Sequence, residues 1–226
     1  MMGRHHAASG AVAGIALGLL AHQPAATTLA AGALCAGAAM VPDIDEPGSS
    51  VARAAEPVSG AIAYLTARLA GGHREATHSL LAAAAAGGAV AALSLLDIAH
   101  HVPASIVPLG VCVALCVRAV PPQPLCIGRT AALLAGAIAA WAIARWVGIG
   151  WWVPAAVGIG WAFHVAGDAI TAGGVPVLWP WRRRVSWPVL ARTGSAREAI
   201  LGAALLVVLV VLAAAPAMSV ANGLRP

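Results

Sequence analysis

Three short stretches hold most of the side chains able to ligate a metal or move a proton: VPDIDEPGSS at 41–50, GGHREATHSL at 71–80 and FHVAGDAITAGG at 163–174. Charged residues make up only 9% of the 226, so these clusters stand out. His164 and Asp168 are four apart. On a helix that spacing puts them about 40° apart on one face, and both can reach one metal. A hydrogen-bonded His–Asp pair closing a helix has the same spacing, but ionisable groups inside an apolar segment are costly to keep there. Asp43 and Asp45 flank Ile44 just after the helix-ending Pro42. In an extended turn their carboxylates point apart, so one ligates and the other orients a ligand or accepts a proton. Read alone, such a pair is an ordinary acidic loop. His73 and His78 are five apart and do not share a helical face. His73 belongs to the loop and His78 to the start of the next helix, with Thr77 and Ser79 beside it. Arg74, between the two histidines, suits either a phosphate or the anchoring of a loop. His5 and His6 precede the first apolar segment.

The elements that position these residues are apolar. The chain is 61% hydrophobic with a mean hydropathy of +0.87. A soluble domain is closer to half apolar and about a quarter charged. Composition therefore points to an integral membrane protein. Seven apolar segments are legible, at about 7–21, 25–41, 79–96, 104–118, 130–150, 151–167 and 199–215. Several fall short of the ~20 residues of a full span, so the first two read either as spans or as a re-entrant hairpin. A short helix is expected at about 54–70. The expected fold is an all-α polytopic membrane bundle of about five to seven segments. Residues 1–226 read as a single domain, with the site loops at the cytoplasmic face.

That face follows from the arginines, since the chain has 13 and no lysine. Crossing the membrane at each segment places Arg4, Arg53, Arg68, Arg74, Arg118, Arg129, Arg182, Arg183, Arg184, Arg192 and Arg197 on the N-terminal side. Such a bias marks the cytoplasm. Arg145 and Arg225 lie toward the other end. The polar islands land on the arginine side too, although they played no part in that count. Asp97, His100 and His101 land opposite and are left out of the site. Trp179, Trp181 and Trp187 beside Arg182–Arg184 read as an interfacial belt. Arginines in short loops between apolar runs more naturally set topology and touch anionic lipid, which disfavours nucleic acid as a partner. Cys35, Cys112, Cys116 and Cys126 form no CxxC pair and read as small buried hydrophobes. A signal peptide at 1–21 is disfavoured, because a second apolar segment follows at once.

With these residues in hand, the sequence resembles a known family. His6, PDIDEPGS at 42–49, HREATHSLL at 73–81 and HVAGDAITAGGVPVLWPW at 164–181 are similar to the YdjM-like inner-membrane proteins, described as metal-dependent hydrolases. The resemblance runs from about residue 5 to 185. That family is related in turn to the helical zinc phospholipase C and P1 nuclease group. The resemblance implies His6, Asp43, His73, His78, His164 and Asp168 as metal ligands, with Asp45 as a ligand or base. It also brings in a cytoplasmic regulatory protein as a partner. The family often has histidine where this chain has Glu46.

A ligand set of histidines and carboxylates without cysteine suits Zn²⁺, or a site shared with Mn or Fe. Six or seven groups exceed one tetrahedral zinc. One or two ions are therefore expected, a pair being the arrangement used on phosphoesters. On this reading Asp45 accepts the proton of the attacking water. Arg74 and Arg182–Arg184 hold the phosphate of a small phosphoester or lipid. Two other readings stand beside the hydrolase: a non-catalytic membrane scaffold that binds a cytoplasmic regulator, and a metal transporter. The transporter is disfavoured because the ligands gather at one end rather than at the bilayer midplane.

Overall fold

The computed structural model describes residues 1–99, 101–119, 128–190 and 192–223. His100 and Cys126 lie outside them. The described residues are mostly helical. In chain order they form α1 (Gly3–Leu20), α2 (Ala25–Ala38), α3 (Val58–Ala70), α4 (Leu80–Leu93), α5 (Ile106–Ala119), α6 (Arg129–Trp146), α7 (Trp152–Ala169) and α8 (Ala196–Gly223). Two 3-10 turns, Val41–Asp45 and Ala76–His78, carry site residues. The expected helix at 54–70 forms over its later part, as α3. The segment expected at 79–96 ends at Leu93. Beyond it Asp97–Ala99 pairs antiparallel with Val102–Pro103 in a small ribbon, β1 and β2.

Two helices are long and apolar enough to cross a membrane among the described residues: the run Ala25–Asp45, and α8. The first is largely buried within the protein, whereas α8 is almost wholly exposed. At 1.5 Å per residue the 14-residue α4 and α5 are about 21 Å long, short of the ~30 Å hydrocarbon core.

The core is built on α2. Ten of its fourteen residues are buried, and it touches α1, α5, α7 and α8. The contact is made by small residues. Gly10, Gly14 and Gly18 recur every four residues along one face of α1 and lie against α2. A Cβ added at Gly10 would stand 2.5 Å from the Cys35 carbonyl oxygen, and one at Gly18 would stand 2.7 Å from Thr28. On α7, Gly160 presses on that same Cys35 carbonyl, and on α2 Gly37 faces the backbone of Cys112 on α5. Backbones this close gain dispersion contact without needing large apolar side chains. Leu34, Cys35, Leu109, Val153 and Ala156 fill the space between them.

The stripes continue into the polar islands. His6 is four residues before Gly10 on α1. His164 and Asp168 are four and eight residues after Gly160 on α7. Both runs therefore aim their ionisable groups at the C-terminal end of α2, on the faces that already pack against it.

Gly14→Val should force α1 from α2 and cost about 1–3 kcal/mol, the usual penalty for overpacking. Gly88→Ala on α4, where an added Cβ meets nothing within 4 Å, should be neutral or mildly stabilising. Thermal melts of the two purified variants check this, with loss of stability expected only at Gly14.

Candidate metal centre

Past the end of α2 the chain tightens into the 3-10 turn Val41–Asp45, with Pro42 in its first positions. This turn carries Asp43 and Asp45. The second island arrives from α3, which ends on Gly71 at φ 87°, followed by Gly72 at φ 117°. These left-handed backbones suit glycine and let the chain reverse. Arg74 is also left-handed, at φ 63°. That is unusual for a residue with a side chain, and it is held at both ends. Its backbone N–H donates to Asp45 Oδ2 at 3.2 Å, and its guanidinium lies on Asp168. His78 closes the next 3-10 turn. Ser79 then caps α4, its Oγ accepting from the Ala82 N–H at 3.1 Å.

The structure brings His6, Asp43, Asp45, His73, Arg74, His78, His164 and Asp168 together. Two groups could hold a metal ion: Asp43, Asp45, His73 and His78, and His6, His164 and Asp168. Within each group the ligand atoms lie within 4.8 Å of one another. The two groups share one focus. His78 Nε2 and His164 Nε2 are 3.0 Å apart. Asp43 Oδ1 is 3.6 Å from each of these nitrogens. Asp168 Oδ2 is 3.6 Å from His78 Nε2 and 3.7 Å from His164 Nε2. A tetrahedral ion with ligands at 2.0–2.1 Å has ligand–ligand edges of about 3.3–3.4 Å. The observed spacings bracket that value.

The surrounding hydrogen bonds leave both imidazoles ready to ligate. His164 Nδ1 donates to the Ala39 carbonyl at 2.7 Å, and His78 Nδ1 lies 3.2 Å from Asp45 Oδ2. With each Nδ1 carrying its proton, each Nε2 presents a lone pair, the arrangement common around metal-bound histidine. Two lone pairs 3.0 Å apart repel unless a proton or a metal ion sits between them. Burial by itself lowers the pKa of His78. Hydrogen bonds to Asp43 and Asp45 and the nearby charge of Asp168 outweigh it and raise the pKa to about 9. Asp168 Oδ2 is buried, faces the two Nε2 atoms and has the Arg74 guanidinium as its ion-pair partner. His6 Nδ1 is buried and makes no hydrogen bond among the described residues. The donor set and its spacing therefore fit a divalent ion.

His6 stacks on His164 with ring centroids 3.9 Å apart, and its Nε2 is 3.3 Å from Asp168 Oδ1. Gly167 makes this possible, because a Cβ there would stand 3.1 Å from His6 Nδ1. Arg74 grips the same carboxylate, with Nε 3.0 Å from Oδ2 and Nη2 donating to Oδ1 at 3.2 Å. Arg74 thus ties its loop to the cluster.

Asp45 points away from Asp43's side of the cluster and orients other residues. Four donors surround it: His73 Nδ1 on Oδ1 at 2.8 Å, and the Arg74 N–H, the Thr77 hydroxyl and His78 Nδ1 on Oδ2. Asp45 is 1% exposed. Asp43, with its side chain 27% exposed, is the carboxylate open to solvent.

The expected phosphate cluster at Arg182–Arg184 is also redistributed. Arg184 pairs with Glu75 and donates to the Gly174 carbonyl, while Arg182 and Arg183 are exposed. Glu46 accepts from the Gly48 N–H at 3.2 Å and caps its own turn. Asp97 and His101 form an exposed pair 3.7 Å apart outside the cluster. Cys35 and Cys112 are buried free thiols.

Glu198 was not singled out from sequence. It is fully buried at the start of α8, accepts from the Met2 and Gly194 N–H groups, and lies 3.0 Å from His5 Nδ1. It ties α8 to α1 one residue from His6. A lone glutamate opening an apolar segment was its only sequence signal. Thr77 and Trp161 form a second support, with Trp161 Nε1 donating to the Thr77 carbonyl at 2.7 Å.

A family model described as YdjM inner membrane protein matches residues 1–119 and 129–222. No curated protein and no solved structure matches the chain. With nearly all of its length covered by that model, the chain belongs to the YdjM inner membrane protein family.

Proposed function

We propose that this inner-membrane protein is a metal-dependent hydrolase of a phosphoester or lipid-type substrate. The observation that carries the reading is the four-atom focus of His78 Nε2, His164 Nε2, Asp43 Oδ1 and Asp168 Oδ2, at spacings near those of a tetrahedral ion's ligands. On this reading those four side chains hold the ion, with zinc favoured by the His and carboxylate donors. His6 and His73 border the same centre, leaving room for one ion or two. A bound ion supplies Lewis acidity and lowers the pKa of water. Asp45 is a positioning residue that sets the tautomer of His78. Asp43 is the ligand on the solvent side, from which substrate and water would enter. Arg74 steadies Asp168 and stands where the negative charge of a phosphoester would meet it.

The chain as a whole is read as one multi-pass domain of five to seven membrane segments, with the metal centre at the cytoplasmic end. The arginine distribution supports that orientation. The shortness of α4 and α5 is accommodated by bilayer thinning or by burial among other helices.

A second reading, a non-catalytic metal-binding scaffold for a cytoplasmic regulatory protein, is favoured by burial. His6, His78, His164, Asp45 and Asp168 are each 1% exposed or less. Substrate access is then limited to the side of Asp43. Turnover separates the two readings.

Purified protein should carry one to two equivalents of a divalent transition metal by elemental analysis. The double variant His78→Ala, His164→Ala should empty the site, and full metal retention by it would refute the ligand set. Asp45→Asn should weaken metal binding by roughly 10–100-fold, the usual effect of losing a ligand-orienting partner.

Asp43→Asn should lose both metal and metal-dependent hydrolysis, because Asp43 is one of the four ligands on this reading. A panel of phosphoesters, phospholipids and nucleotides is the assay. Absence of metal-dependent turnover across the panel by the metal-loaded wild type selects the scaffold.

An introduced Ser49→Cys should react with impermeant thiol reagents only from the cytoplasmic face. Labelling from the periplasmic face would invert the topology.

A further inference from the structure

A pocket apart from the metal centre lies between the start of α1, the end of α2 and the end of α5. Its cavity is about 280 Å³ and opens between Arg4, Ser50 and Arg118, over a floor that includes Met40 and Leu115. That is several times the ~30 Å³ a water molecule occupies in the liquid. Neither Arg4 nor Arg118 belongs to the metal cluster. Arg118 is in the last turn of α5, where the helix dipole favours a cation. The dipole alone does not satisfy it. Arg118 Nη1 is buried and has no acceptor among the described residues. Among the described residues no carboxylate lines the pocket. A guanidinium nitrogen shut away from water without an acceptor is costly, and a second arginine beside it raises that cost. Arginine's planar fork suits the oxygens of a phosphate group.

We infer that this pocket binds the phosphodiester headgroup of an anionic membrane lipid. The guanidinium groups of Arg4 and Arg118 and the Ser50 hydroxyl would take the phosphate oxygens, and Met40 and Leu115 would meet the start of the acyl chains. Three observations support a lipid rather than a free anion. The floor of the pocket is apolar, the chain belongs to an inner-membrane family, and the pocket joins the ends of three helices. The occupant would clamp α1, α2 and α5 together close to the segment that carries His6. The inference does not depend on the hydrolase reading.

The test is native mass spectrometry of the detergent-purified protein, together with thermal melts, titrated with phosphatidylglycerol, phosphatidylcholine or inorganic phosphate. Wild type should retain one phosphatidylglycerol per chain and melt higher with it, with little response to phosphatidylcholine. Arg118→Gln should bind it roughly fivefold to tenfold more weakly, the loss of about one surface arginine's worth of attraction. It should keep its metal content. The exposed-residue control Arg183→Gln should bind as wild type. Should Arg118→Gln fail to fold, Arg4→Gln carries the same expectation. Equal phosphatidylglycerol binding by the pocket variant and wild type would overturn the site. Equal retention of phosphatidylcholine, or full stabilisation by inorganic phosphate alone, would overturn the anionic lipid as occupant.

Discussion

The close approach of α1 and α7 to α2 is the contact on which the rest of the structure depends. Glycine every fourth residue on α1, and Gly160 on α7, let these backbones come within reach of α2's own carbonyls. The same four-residue period then delivers His6, His164 and Asp168 to the end of α2. Packing and chemistry are one periodic pattern read at two ends of a helix. A side chain large enough to separate the helices would also move the ligands, because nothing flexible lies between stripe and site.

The second constraint is electrostatic. Asp43, Asp45 and Asp168 crowd among four histidines and Arg74, in a site where most side chains are excluded from water. Such a cluster is stable only if each charge finds an opposite partner or a donor. Asp45 solves this with four donors. Asp168 solves it through the N-terminal amine and His6 on Oδ1 and the Arg74 guanidinium across both oxygens. The two buried aspartates differ in what they face: Asp45 faces Nδ1 of His78, and Asp168 Oδ2 faces the two Nε2 atoms. The carbonyl of Ala39 belongs to the same logic, because an unpaired backbone group at the end of α2 sets the ring of His164.

Much of the site was legible in the chain itself. The residues Asp43, His73, His78, His164 and Asp168 stood out because ionisable groups are rare and costly in so apolar a sequence, whereas His6 was set apart from His5 only by the family resemblance. Helicity, the membrane class and the pairing of His164 with Asp168 followed from composition and from a period of 3.6 residues. The roles within the cluster were less legible. Spacing said that Asp43 and Asp45 point apart, which is so. It could not say which faces solvent, because that depends on the second island folding over Asp45 and supplying four donors from residues 73 to 78. For the same reason Arg182–Arg184 looked like a phosphate clamp, while Arg74 alone sits against the ligands.

What the sequence determined by itself was the set of polar residues, the apolar helices that carry them and the faces on which they lie, since these are properties of local period and hydropathy. What only the tertiary structure decided was which of those residues meet. The partnership of His5 with Glu198, the saturation of Asp45 and the 3.0 Å approach of His78 to His164 join residues as many as 193 positions apart. Contacts of that kind are set by how closely helices can pack and by where their backbones stop, and no periodicity within one segment records the position of another.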